Sequence, residues 1–101
     1  MKYPPKSPPP EPVRHTLLPM YLDSLFEDLI VVLGLNLWDA EYDKILSESA
    51  YTIDELTDLI ILADGMTPEG IDKDFRAKIR GMVAKFFHLS MERSARESAA
   101  N

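Results

Sequence analysis

Thr52-Ile53-Asp54-Glu55-Leu56-Thr57-Asp58-Leu59-Ile60-Ile61-Leu62-Ala63-Asp64-Gly65 carries both a start and a stop signal for a helix. Thr52 and Glu55 stand three apart ahead of an apolar run, the spacing at which each side chain reaches the other residue's backbone N–H. Ile53, Leu56, Leu59, Ile60 and either Leu62 or Ala63 then recur at three- and four-residue intervals and predict one buried stripe. Asp64-Gly65 closes the segment, because glycine takes the left-handed C-terminal conformation without a Cβ penalty.

The same period extends outward from Leu17 to Leu89. Upstream, Met20 to Leu33 places Leu22, Leu25, Phe26, Leu29, Ile30 and Leu33 on one face. Pro19 at a first helical position, or Ser24 with Glu27 as a capping box, marks its start, and Gly34 its end. A second segment from Trp38 to about Ser47 turns Trp38, Tyr42, Ile45 and Leu46 inward, with Asn36 or Asp39 as its cap. Downstream, Thr67-Pro68-Glu69 opens only a short helical turn before Gly70. Asp72 caps a last helix of at least five turns, with Ile71, Phe75, Ile79, Met82, Val83, Phe86 and Leu89 inward. Phe86 and Phe87 are adjacent and cannot both face one core, which leaves one of them to join His88 and Met91 in an outer apolar strip. No alternating run bounded by turn residues competes. The expectation is an all-α fold: a compact bundle of about five helices with a long C-terminal helix.

Six of the eight prolines lie within residues 1–12. Proline fixes φ and lacks a backbone donor, so residues 1–16 read as a proline-rich tail or linker. The helical domain is expected over 17–91, and the polar end 92–101 is expected to fray. Cysteine is absent from the 101 residues, which excludes disulfides, a thiolate nucleophile and cysteine-ligated metal. The net charge of −6 argues against broad binding to nucleic-acid phosphates. The longest apolar run, Leu29 to Leu35, falls far short of the ~20 residues a membrane span needs. Cytoplasm or nucleus is the expected setting.

The inventory for catalysis is thin. His15 and His88 are far apart in sequence, and the glycines at 34, 65, 70 and 81 form no phosphate loop. Asp39, Glu41 and Asp43 alternate by two, which does not bring them to one helix face, and they lack the glycine and distal glutamate of a calcium loop. No catalytic residue, cofactor or metal is expected. Trp38, Tyr42, Phe75, Phe86 and Phe87 fall at helical spacing and read as core rather than as a stacking platform.

Charge, by contrast, is segregated. Residues 39–58 carry a net −6 and residues 71–85 a net +3. Lys73, Arg76 and Arg80 follow i, i+3, i+7 spacing and line one stripe at a helix N-terminus, where unpaired N–H groups add positive potential. A second copy could dock acid against base in a heterologous contact. The competing expectation is that the two patches neutralise each other within one fold.

Leu33-Gly34-Leu35, then Tyr42, Leu46, Glu48 and Tyr51-Thr52, then Leu56, Leu59 and Leu62, then Met66, Gly70-Ile71 and Phe75-Arg76-Ala77-Lys78-Ile79 together resemble the sterile alpha motif (SAM) domain. The resemblance spans about residues 20–89. It implies a five-helix, non-enzymatic interaction module with two docking surfaces. An acidic mid-region would hold Asp39, Glu41, Asp43, Asp54, Glu55 and Asp58. A basic last-helix start would hold Lys73, Arg76 and Arg80, with Gly70 admitting a close backbone. The implied partner is the chain itself or another SAM-like domain, associated head to tail. The alternative is a small acidic helical inhibitor or adaptor that binds one larger protein. Separately, Pro9, Pro12 and Arg14 fit the Pro-x-x-Pro-x-Arg pattern of a ligand for an SH3-type domain.

Overall fold

Apolar periodicity becomes four helices in the computed structural model, which describes residues 13–99: α1 Pro19–Leu33, α2 Asp39–Ser47, α3 Ile53–Ala63 and α4 Lys73–Ala99. Their ends follow the local signals. Pro19 opens α1 at a position whose N–H would have no helical partner anyway. Ser24 lies inside that helix and donates to Met20 O at 3.1 Å, so it is not a cap. Gly34 ends α1 at φ 72°, a conformation that a Cβ would strain. Trp38, not Asn36 or Asp39, is the N-cap of α2, and no side chain caps it. The capping box of α3 is complete: Glu55 N donates to Thr52 Oγ1 and Thr52 N to Glu55 Oε1, both at 3.1 Å. Asp72 Oδ2 accepts from Asp74 N at 3.1 Å and Phe75 N at 3.2 Å at the start of α4.

Four helices form where about five are expected. Thr67–Gly70 makes one turn, with Gly70 N and Ile71 N both donating to Thr67 O at 3.1 Å. A single turn cannot repay the cost of helix nucleation, and Pro68 lacks a donor to extend it.

α4 is the organiser. Its 27 residues span ~40 Å, and α1 and α3 both pack on it, while α2 leans on α1. Leu22, Leu25, Leu29, Leu56, Ile60, Ile61, Ile79 and Val83 are fully enclosed. Phe86 and Phe87 are both buried, against the expectation that one would be left outside. The reason lies in residues 13–18, which run as an extended strap between Tyr51 and the Phe87–Ser90 side of α4. His15 and Tyr51 exchange backbone hydrogen bonds at 2.9 and 3.3 Å, and the His15 ring meets Phe87 edge-on at 5.5 Å. Leu17 is buried, and its N–H donates to Tyr51 Oη at 2.9 Å. Ser90, also buried, takes the Leu18 N–H at 3.0 Å and lies 2.7 Å from His15 Nε2. The strap thus widens the covered part of α4 beyond α1 and α3, and the inward residues include Phe87 and Ser90 while Leu89 is exposed.

Candidate docking surface

Ile30-Val31-Val32 are three consecutive β-branched residues in the last turn and a half of α1, and all three are exposed. Val31 is 75% and Val32 67% exposed, with Ile30 at 42%. Successive helical residues are roughly 100° apart, so these three wrap about 200° of the helix circumference. The buried side of α1 is already filled by Leu22, Leu25, Phe26 and Leu29. β-Branched residues lose χ1 freedom in a helix, so nothing local favours them here. A run of exposed apolar residues on a surface helix is a liability unless it serves contact.

Trp38 enlarges this patch. It precedes α2 and is 68% exposed, a correction to its expected place in the core. As the N-cap it has extended backbone, φ −108° and ψ 157°, which takes it off the helical phase that turns Ile45 inward. Between α1 and α2 lies a groove of about 590 Å³ with Phe26, Ile30, Trp38 and Tyr42 among its walls. Phe26 and Tyr42 meet edge to face at 5.6 Å, and Tyr42 Oη donates to Pro19 O at 3.3 Å. Asp23, Glu27, Asp39 and Asp43 rim the groove. Burial first, and then the neighbouring Asp23 and Asp43, raise the Tyr42 phenol above its ordinary range.

On the other flank of α1, Val32 borders an open trough of about 520 Å³ shared with α4. Ala77, Gly81 and Met82 form its apolar part, and Lys78 and Lys85 its charged part. Lys85 Nζ also sits 5.2 Å from the Phe86 ring centroid, a cation–π distance. The strip on α1 therefore has carboxylates on one side and ammonium groups on the other.

The expected docking residues are distributed differently. Arg80 Nε donates to Asp54 Oδ1 at 2.7 Å, and Arg76 Nη2 to Asp58 Oδ1 at 3.1 Å and lies 3.8 Å from Asp54 Oδ1. The two charge blocks meet inside one molecule at these residues. The Arg80 hydrogen bond holds the Asp54 carboxyl below its ordinary range. Glu55 serves the α3 cap and pairs with Arg14 at 2.7 Å; the Thr52 backbone N–H is the first cause of its lowered pKa. Asp39 and Asp43 face the α1 groove. Glu41 lies on the opposite side of α2, among residues that include Leu59 and Leu62, and its Oε2 is buried with no hydrogen-bond partner among the described residues. Lys73 is exposed at the first position of α4. Gly70 closes the Thr67 turn, where a Cβ would come within 2.8 Å of Thr67 Oγ1. Pro9 and Pro12 lie outside the described residues; Arg14 is turned onto Glu55.

Periodicity does not single out Val31, Val32, Asp23 or Glu27, and it places Ile30 and Trp38 in the core. The available signal was the β-branched triplet itself, at a point where the core stripe of its helix is already complete. Among the described residues, no group of three His, Asp or Glu side chains is placed to hold a metal ion, and no helix is long and apolar enough to cross a membrane. No family model matches the chain, and neither the curated proteins nor the solved structures provide a match.

Proposed function

We propose that this chain is a non-enzymatic protein-interaction module, of the kind its resemblance to SAM domains implies, and that it docks through the Ile30-Val31-Val32 strip and Trp38. The supporting observation is that strip: apolar, helix-borne, exposed and bordered by acid on its Trp38 side. An aromatic and aliphatic centre with a charged rim is the usual anatomy of a protein contact. The fitting occupant is a helix or surface with an apolar stripe flanked by lysine or arginine. The head-to-tail pairing of Arg76 and Arg80 with Asp54 and Asp58 of another copy would first have to break their contacts within the chain. The α1 strip carries no such cost.

Trp38 is the single tryptophan, so its emission reports the site directly. Titration with a leucine–lysine amphipathic helical peptide should shift that emission to the blue and protect it from quenching. A leucine–glutamate peptide of the same pattern should do neither, and Val31→Asp should abolish the response. An equal response to both peptides, or one that survives Val31→Asp, would remove the surface from consideration.

A further inference from the structure

We infer that the partner is a second copy of this chain, related by a two-fold axis along the exposed strip of α1. The inference rests on the docking reading of that strip and names its occupant. Three features carry it. First, the apolar strip lies between two flanks of opposite charge: Asp23, Glu27, Asp39 and Asp43 towards α2, and Lys78 and Lys85 towards α4. Second, α1 borders both flanks, contributing Ile30 and Val31 to one groove and Val32 to the other trough. Third, the arginines that could have supplied a separate basic patch are already paired within the chain.

A patch with an apolar centre, acid on one side and lysine on the other is complementary to itself. Rotation by half a turn about a line through the centre lays the acid flank of each copy on the lysine flank of the other. The favourable charge contact is then made twice, and Val31 lies where the strip meets its own copy. Asp28, one turn before Val32, is the one α1 carboxylate on the lysine side by helical spacing, and two lysines outweigh it. Such an isologous contact closes at two copies, whereas two patches on remote faces would propagate an open chain. Like charges placed opposite each other oppose association, so the arrangement also fixes the register.

Solution mass over a range of concentrations tests this. The chain should approach twice its 11.5 kDa and stop there. Val31→Asp should weaken association at least ~10-fold while the dilute monomer keeps its helical signal and unfolds cooperatively, since Val31 is exposed. A chain with Lys78→Glu and Lys85→Glu should be monomeric, and so should one with Asp39→Lys and Asp43→Lys. Mixed together they should form a heterodimer, because the exchange restores both contacts. A mass that climbs past two copies would overturn the two-fold arrangement. A monomer at every concentration would overturn the second copy as occupant; the docking reading would fall with it only if the Trp38 peptide titration also failed.

Discussion

His15 sits half-buried in the strap, against Phe87 and Ser90. The Ser90 hydroxyl accepts from Leu18 N–H and lies 2.7 Å from His15 Nε2. Burial lowers the His15 pKa from its ordinary value of 6.5. The unfolded chain therefore binds the proton more readily, and stability rises with pH through this window. Folding stability should be fully present above pH ~6.5 and should fall as pH drops towards the lowered pKa. His15→Gln should flatten that slope in urea melts run between pH 7 and 5; an unchanged slope would show that His15 is not its source. Nearby, Tyr51→Phe removes the acceptor of the buried Leu17 N–H and should cost about 1–3 kcal/mol. Neither role was legible in the sequence, because His15 lay in a segment read as tail and its partners are 36 and 75 residues away.

Helices show where local reading works. The Thr52–Glu55 box, the Asp72 cap and the Gly34 stop all form, since each depends on groups within four residues. Thr52→Ala should accordingly lower stability by ~1 kcal/mol in chemical denaturation. Two assignments failed for a non-local reason. Phe86 and Phe87 are both enclosed because α4 is covered by α1, by α3 and by the strap, an arrangement no single helical period can express. Trp38 shares the spacing of Tyr42 but sits before the first helical residue, so its side chain leaves the helix phase. α1 also makes a sharp prediction about trade-offs. Val31→Ala improves helix propensity and should raise the stability of the monomer by a few tenths of a kcal/mol, about the propensity difference. The same change should weaken association. A loss of stability instead would mean that Val31 packs within its own chain.

Across the whole molecule, the sequence revealed that charge is segregated but not which charges face each other. The acidic block is split up: Asp54 and Asp58 go to the α4 arginines, Glu55 to the α3 cap and Arg14, Asp39 and Asp43 to the α1 groove, and Glu41 to the opposite side of α2. That division depends on helix orientation, which linear charge counts do not contain. The Arg76 and Arg80 pairs are partly exposed and screened, so Arg80→Gln should change stability by no more than ~1 kcal/mol and leave solution mass unaltered. The central claim is that α1 meets its own copy along Ile30-Val31-Val32. Because the chain has no cysteine, one introduced thiol reports contact without background. Val31→Cys should give a disulfide-linked dimer rapidly at low protein concentration, since bridging needs Cα atoms within about 7 Å. Leu62→Cys, also exposed on α3 but lining neither groove beside the strip, should not. Equal rates for the two, or none for Val31→Cys, would contradict the account.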